Sequence, residues 1–187
     1  MRTDAARNRA RILAAARAQI AAHGPDAAMD AIAAHAGVAV GTLYRHYPTK
    51  ADLVAAVIED SLGQFAAIAE AAARAVDDGA DAFHGLRDLM LAFAEQHTRD
   101  RALKAASTQL GMPIHYDIER YPDGSAARRA GTSVAHVLEA ARAASAVRVD
   151  LTLDDLTMLL NGVPDDPAHR DRYVDIVLAG IARPPGP

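Results

Sequence analysis

Histidine and carboxylate side chains are the first residues of this sequence that could do chemistry. His84 and Asp88 lie one helical turn apart, a spacing at which two side chains can bind the same metal ion. Three further histidines, His97, His115 and His136, do not complete a recognisable set of ligands around that pair. We therefore expect no metal and no cofactor, and a helical metal-dependent enzyme is kept as an alternative hypothesis.

Other catalytic chemistries lack their characteristic residues. The chain of 187 residues has no cysteine, which excludes disulfides, thiolate metal sites and cysteine nucleophiles. It has neither a glycine-rich phosphate loop nor a nucleophile elbow. We expect no catalytic residue, and the absence of cysteine is compatible with a reducing cytoplasm.

The charge is distributed unevenly along the chain. The formal net charge is -4, yet residues 1–50 hold seven basic and three acidic side chains, a net of +4, which leaves -8 for the remainder. A basic head on an acidic body is typical of a protein that meets nucleic-acid phosphates at one end. The alternative is a chance scatter of surface charge.

The composition favours an all-α protein outside the membrane. Hydrophobic residues make up 51% of the chain but aromatic residues only 4%, and the commonest apolar residue is alanine, the best helix former. No apolar run reaches the roughly 20 residues that a membrane span needs. Asp4 and several arginines interrupt the place where a signal peptide would be apolar. We expect a soluble, cytoplasmic protein with no membrane partner.

Three helices near the N-terminus would position any residues that meet nucleic acid. Apolar spacing predicts a first helix over residues 7–23, ended by Gly24 and Pro25. A short helix over residues 29–36 is interrupted by Gly37. A second short helix from about Val40 must end before Pro48, because the residue preceding a proline is pushed out of the helical region.

The rest of the chain reads as further helices joined by short connections. Thr49 with Asp52, and Thr152 with Asp155, have the three-residue spacing of capping boxes. Asp166 followed by proline is a strong helix start. The predicted helices cover residues 50–76, 81–97, 101–110, 125–145, 153–162 and 167–182, with an irregular segment over residues 111–124.

Residues 30–50 meet the requirements of a helix-turn-helix one position at a time. Ile32 faces the core and Ala33 is small where the two short helices cross. Gly37 lies where the turn needs a left-handed backbone, Val38 closes the turn and Leu43 anchors the second helix. Each feature is common alone, but the ordered set is specific.

The stretch IAAHAGVAVGTLYRHYPTKADL, residues 32–53, resembles the DNA-binding signature of the TetR/AcrR family of transcriptional regulators. The similarity covers about residues 7–60. The segments LDDLTMLLNG (residues 153–162) and YVDIVLAG (residues 173–180) resemble the C-terminal domain of SbtR-like members. The resemblance implies an N-terminal three-helix helix-turn-helix domain, residues 1–50, plus a larger helical ligand-binding and dimerisation domain, residues 51–187.

The resemblance also implies which residues contact double-stranded DNA. Carried over position by position, they are Val40, Gly41, Thr42, Tyr44, Arg45, His46 and Lys50. Ordinary helix surface is the alternative for Tyr44 and His46. The sequence departs from the family at Ala28 and Ala39, where a capping threonine and a serine are frequent, and at Val40, which is often polar or basic.

A homodimer is expected because the last predicted helix is apolar over too wide an arc for one core. Its partner would be the same helices of a second subunit, forming a four-helix interface. The interface residues implied are Leu156, Leu159, Leu160, Tyr173, Ile176 and Val177. The alternative is a monomer whose own helices cover the arc.

A small-molecule effector is expected to bind among the helices of residues 50–145. Candidate lining residues are Phe65, Phe83, Met90, Phe93, His97, Met112, His115 and Tyr116, each of which also suits plain core or loop. The sequence thus predicts a ligand-responsive repressor that binds a palindromic operator as a homodimer and is released by a small molecule. The alternative within the family is a constitutive DNA-binding protein without a ligand.

Overall fold

The computed structural model describes residues 2–112, 118–164 and 166–183, and in these the regular structure is helical. The α-helices are α1 (Arg2–His23), α2 (Met29–Ala36), α3 (Val40–His46), α4 (Lys50–Asp77), α5 (Ala82–Arg99), α6 (Arg101–Gln109), α7 (Ala126–Ala143), α8 (Leu153–Asn161) and α9 (Pro167–Ile181). The all-α prediction is confirmed. The one β-bridge among the described residues is an isolated antiparallel pair between Val147 and Ala182.

The three helix starts at which the sequence predicted a capping side chain, those of α4, α8 and α9, are closed by the expected side chains. In α8 the Thr152 hydroxyl accepts from the backbone N–H of Asp155, while the Asp155 carboxylate accepts from the backbone N–H of Thr152, at 3.1 and 2.9 Å. The same reciprocal bonds start α4 at Thr49 and Asp52. Asp166 accepts from the N–H of His169 at 3.0 Å to start α9. Both capping boxes are therefore confirmed.

Helix α1 begins at Arg2, five residues before the predicted start. The prediction relied on apolar spacing, which begins only at Ile12. Residues 5–11 are alanine, arginine and asparagine, and most are exposed. Alanine and arginine have high intrinsic helix propensity, so this part of α1 needs no buried face to be helical.

The chain divides into two compact units, each with its own core. Unit 1 comprises Met1–Ser61 and Arg99–Ile114, and unit 2 comprises Leu62–Thr98 and His115–Pro187. Helix α4 begins in unit 1 and ends in unit 2. The functional boundary expected at residue 50 stays a prediction.

The core of unit 1 joins α1, α2 and α3 to the first turns of α4 and to α6. Its buried side chains include Ile12, Ile20, Ile32, Leu43, Leu53, Val57 and Leu103. The core of unit 2 is built mainly from α5, α7, α8 and α9. Its buried side chains include Leu86, Leu89, Met90, Leu138, Leu156 and Val174.

Part of the segment predicted to be irregular, residues 111–124, has a definite structure. Ile118–Arg120 forms a 3₁₀ turn. Ile118 lies over Gly131 of α7, where a Cβ atom would stand 2.5 Å from its Cγ2. Arg128 donates to the Ile118 carbonyl at 3.1 Å. A glycine in α7 thus lets this turn pack directly on the helix.

No helix in the described part of the chain is both long enough and apolar enough to cross a membrane.

Candidate nucleic-acid interface

The two short helices α2 and α3 form a helix-turn-helix anchored in the core of unit 1. Ile32, Ala33 and Leu43 are fully buried, and Val38 is partly buried against the same cluster. The anchoring roles predicted for these four residues are confirmed. Burial of one side of α3 fixes which side remains exposed.

The turn between α2 and α3 depends on Gly37. Its φ of 63° is in the left-handed region, and its N–H donates to the Ala34 carbonyl at 3.0 Å. Arg11 of α1 donates to the Gly37 carbonyl at 3.2 Å, and its guanidinium occupies the space that a Cβ on Gly37 would need. Sequence reasoning found the glycine but missed Arg11, which lies 26 positions away.

The exposed side of α3 carries most of the side chains assigned to DNA contact. Val40 and Tyr44 are 40% and 44% exposed. Gly41, Arg45 and His46 are also exposed, and Thr42 is half-buried. The structure therefore places these six residues on one short helix held from below by Leu43, and their contact with DNA stays a prediction.

The two predicted cations are already engaged within the protein. Arg45 donates from Nε to the Gly41 carbonyl at 3.0 Å and from Nη2 to the Thr42 hydroxyl at 3.1 Å. Lys50 at the start of α4 donates to the Pro25 carbonyl. A DNA phosphate would have to replace or share these bonds. The sequence did not predict the contact between Lys50 and Pro25, because residues so far apart in the chain show no local pattern that links them.

The departures at Ala28 and Ala39 have the consequence expected from their side chains. Ala28 precedes α2 and Ala39 precedes α3, and neither helix start has a side-chain cap. Alanine has no oxygen to accept from the first N–H groups of a helix.

A group of charges that the sequence did not reveal supports α1 within unit 1. Arg17 lies 3.3 Å from an Asp60 carboxylate oxygen and 3.4 Å from an Asp100 oxygen, and Ser61 donates to Asp100. Arg17 and Asp100 are 20% and 15% exposed. The group joins α1 to α4 and to the residue before α6. These interactions stabilise the part of unit 1 on which the helix-turn-helix packs.

Three of the predicted effector residues lie together in unit 2. The rings of Phe65 and Phe93 meet edge to face with centroids 5.4 Å apart, and His97 stacks on Phe93 at 6.0 Å. Ala130 and Val134 of α7 pack against the two phenylalanines.

The other predicted effector residues are elsewhere. Met90 is buried in the main core of unit 2, and Phe83 packs against that core. Met112 packs against the core of unit 1. His115 and Tyr116 lie outside the described residues.

The predicted dimer residues divide into buried and exposed sets. Leu156, Leu160 and Val177 lie in the core of unit 2. Val177 therefore turns inward, because it packs with the rest of the apolar side of α9. Ile176 is 56% exposed and Leu159 is half-buried.

Two further observations concern the same two helices. Tyr173 is half-buried, and its hydroxyl donates to the Leu159 carbonyl at 2.6 Å, which joins α9 to the end of α8. Met158 of α8 is 66% exposed and was not singled out from the sequence. Large apolar residues occur at several positions along α8, so the sequence pattern does not show which of them faces outward.

Two of the histidines considered for metal binding, His84 and His136, each lie beside a carboxylate. His84 lies 3.2 Å from Asp81, and His136 lies 2.7 Å from Asp77. Asp88 lies beside Arg87 rather than His84. Across residues 2–112, 118–164 and 166–183, no three such side chains converge as metal ligands would.

Comparison with known families gives two matches that together span most of the chain. The family described as "Bacterial regulatory proteins, tetR family" matches residues 12–57. The family described as "Transcriptional regulator SbtR-like, C-terminal domain" matches residues 81–183. Both resemblances drawn from the sequence are confirmed. No curated protein matches the chain.

Solved structures agree over nearly the whole length. A TetR regulatory protein from Mycobacterium vanbaalenii is 32% identical, with a TM-score of 0.70 and coverage of 97% of this chain and 98% of that one. The TetR regulator SCO0520 from Streptomyces coelicolor is 25% identical, with a TM-score of 0.68 and coverage of 94% and 98%.

A structure described as a gamma-butyrolactone receptor shares the fold at 24% identity, with a TM-score of 0.62 and coverage of 94% of this chain and 88% of that one. The family matches, the 32% identity and the helix-turn-helix geometry agree with one another. This chain belongs to the TetR family of bacterial transcriptional regulators and has an SbtR-like C-terminal domain.

Proposed function

We propose that the protein is a cytoplasmic repressor that binds a two-fold symmetric DNA operator as a homodimer and is released by a small-molecule effector. The observation that carries the proposal is the exposed face of α3, held above a buried anchor at Leu43. Regulation by binding requires no catalytic residue.

The chemistry of α3 and its surroundings suits a DNA groove. Thr42, Tyr44 and His46 offer hydroxyl and imidazole groups, and Arg45 offers a guanidinium, all of which bind phosphates or base edges. Lys50 would add a phosphate contact at the start of α4. The net charge of +4 over residues 1–50 supports this side as the one that meets DNA.

Dimerisation follows from the symmetry that such an operator demands. Two recognition helices must enter successive major grooves about 34 Å apart along the DNA axis. Ile176 on α9 and Met158 on α8 are large exposed apolar side chains on the helices expected to pair, and Leu159 and Tyr173 are half-buried on the same two helices. We propose that these outward residues form the centre of the interface.

The effector site is proposed at the aromatic cluster of Phe65, Phe93 and His97. Two phenyl rings and an imidazole provide an apolar surface with one polar group, which suits a small and largely apolar ligand with a polar substituent. Phe65 belongs to α4, the same helix that begins at Lys50. A ligand that shifts α4 at this point would alter the helix that carries a proposed DNA contact.

Operator binding by an α3 variant tests the proposal. Tyr44→Ala combined with His46→Ala should weaken binding to a duplex selected from a random pool by at least about 10-fold at fixed salt, because specific contacts contribute about 1–3 kcal/mol each. Affinity should also fall steeply as salt rises. His84→Ala, which changes an exposed histidine of unit 2, is the matched control.

Gly41→Ala separates DNA contact from stability. No atom lies within 4 Å of a Cβ built on Gly41, so alanine should keep or raise the free energy of unfolding. The same methyl group would keep the backbone from approaching DNA closely, and operator affinity should fall. If both α3 variants bind the operator as the wild type does, α3 is not the recognition helix.

A further inference from the structure

Two large side chains with apolar surface stand exposed one helical turn apart on α3. Val40 and Tyr44 are 40% and 44% exposed, while Leu43 of the same helix is fully buried. The packing of unit 1 thus leaves a valine and a phenol ring in water. In the proposed function this flank of α3 lies within the surface that meets DNA, so its partner is a base edge in the major groove.

The hydrogen-bonding side chains of α3 restrict what the helix can read. Its seven residues include no asparagine or glutamine to pair with adenine and no carboxylate to accept from cytosine. The Arg45 guanidinium, which could pair with guanine, is held by the Gly41 carbonyl and the Thr42 hydroxyl.

The isopropyl group of Val40 has no hydrogen-bonding atom, so it distinguishes bases by apolar contact alone. The major groove offers one apolar group that varies with sequence, the C5-methyl of thymine. Every other base edge there presents polar donors and acceptors or a bare C–H. The chemistry of the side chain therefore selects a single base.

We propose that Val40 is a specificity-determining residue that reads the C5-methyl group of a thymine in each operator half-site, with the Tyr44 ring beside it. The proposal rests on the proposed function, because it names what the recognition helix reads. It requires that the thymine be preferred for its methyl group and not for its O4 acceptor.

The expected size of the effect follows from the burial of one methyl group. Removing it from water changes an affinity by a factor of about four. A symmetric operator has two such positions, so the loss of both methyl groups should weaken dimer binding about 15-fold. This change is large enough to measure and small enough to leave the complex detectable.

The experiment begins with duplexes selected from a random-sequence pool by the wild-type protein. The selected duplex is resynthesised with deoxyuridine in place of each thymine in turn, at the same position in both half-sites. Deoxyuridine keeps the O4 acceptor and the pairing edge and lacks only the methyl group. We expect one thymine position at which wild-type affinity falls about 15-fold.

Protein variants connect that position to Val40. In Val40→Ala, affinity for the thymine duplex should fall, and the difference between thymine and deoxyuridine should disappear at that position alone. Val149→Ala changes a valine of unit 2 that is 73% exposed, and it should keep the full difference. Val40 is on the surface, so the variant should fold, and thermal unfolding verifies this.

Placing the methyl group on another base provides an independent arm. At the sensitive position, 5-methylcytosine paired with guanine should bind more tightly than cytosine with the wild type and equally with Val40→Ala. A wild type that is indifferent to deoxyuridine everywhere would overturn the inference. So would a methyl preference that survives in Val40→Ala and vanishes in Tyr44→Ala.

Failure to enrich any sequence from the pool is a separate result. It would overturn the proposed function and the inference with it. Enrichment of a symmetric sequence without a methyl effect would overturn the inference alone.

Discussion

Gly37 shows how one residue determines the geometry of the candidate interface. It has a left-handed backbone, and the Arg11 guanidinium fills the space beside its Cα while bonding its carbonyl. We predict that Gly37→Ala lowers the free energy of unfolding by about 1–2 kcal/mol from backbone strain alone. Displacement of Arg11 should add to the loss. Urea unfolding of the variant and the wild type measures it.

Gly63→Ala is the matched control for that substitution. Gly63 lies inside α4, and a Cβ there would have no atom within 4 Å. Alanine favours a helix interior over glycine by about 1 kcal/mol, so this variant should be more stable than the wild type. Equal losses in both variants would contradict the role given to the Gly37 backbone.

The sequence predicts the local geometry of the helix-turn-helix better than the contacts that it makes with distant residues. The left-handed turn at Gly37 and the buried Leu43 follow from local patterns, and the structure has both. The bonds from Arg11 to Gly37 and from Lys50 to Pro25 join residues 26 and 25 positions apart. Such pairs depend on how helices pack, which no local pattern records.

At the scale of elements, side-chain caps explain why the starts of α4, α8 and α9 were predictable. The start of α8 is the clearest case, because the Thr152 hydroxyl and backbone N–H both donate to the Asp155 carboxylate, at 2.7 and 2.9 Å. The bond from the hydroxyl, and to a smaller extent the bond from the backbone N–H, hold the pKa of Asp155 below its ordinary value.

The depressed pKa of Asp155 predicts a specific dependence on pH. The stability that its ionised form contributes is present above the ordinary aspartate pKa of about 3.9 and is lost as the pH falls through the lower folded value. In Thr152→Val, the pKa of Asp155 should rise toward its ordinary value, measured by NMR titration. The stability difference from the wild type should narrow on acidification.

Thr132→Val is the control for the capping variant, since Thr132 is exposed on α7. It should leave the titration of Asp155 unchanged. A Thr152→Val protein in which Asp155 titrates as in the wild type would contradict the capping argument.

Helix α9 shows which features of an element a sequence pattern cannot resolve. Its wide apolar arc is present, but Val177 is buried in the core of unit 2 while Ile176 is 56% exposed. The two side chains are adjacent and equally apolar. Only the packing of α9 on the rest of the unit 2 core decides which of them faces outward, and that information is distributed over several helices.

At the scale of the whole molecule, Ile176 becomes the residue on which the dimer can be tested. If α8 and α9 pair with their counterparts, the two-fold axis brings each interface residue into the dimer twice. Ile176→Glu should raise the dimer dissociation constant at least about 100-fold, because two isoleucines lose their burial and two charges enter. Analytical ultracentrifugation across concentrations measures this.

Ile68→Glu is the matched control for the dimer. Ile68 lies on α4 of the same unit and is 47% exposed, so the two substitutions change a similar surface. The Ile68 variant should sediment as the wild type does. Loss of dimer in both variants, or in neither, would place the interface elsewhere.

Release of DNA by an effector is the most demanding expectation, because it requires unit 2 to influence unit 1. A ligand shifts an equilibrium only by its difference in affinity for the two states, so the effector must bind the DNA-free state more tightly. By linkage, operator DNA must then weaken effector binding by the same factor. The coupling can therefore be measured from both sides.

The measurement starts from a thermal-shift screen of small metabolites against the wild-type protein. A compound that stabilises the protein is titrated with and without operator, and the operator is titrated with and without the compound. We predict equal coupling factors of about 5- to 150-fold, the usual range for allosteric proteins.

Phe93→Ala should lower the affinity of the protein for the compound, since Phe93 belongs to the aromatic cluster of unit 2. Operator affinity measured without the compound should stay unchanged. Compounds that stabilise the protein yet leave operator affinity unaltered would favour a constitutive DNA-binding protein. A ligand with equal affinity for the DNA-bound and DNA-free states cannot change DNA binding.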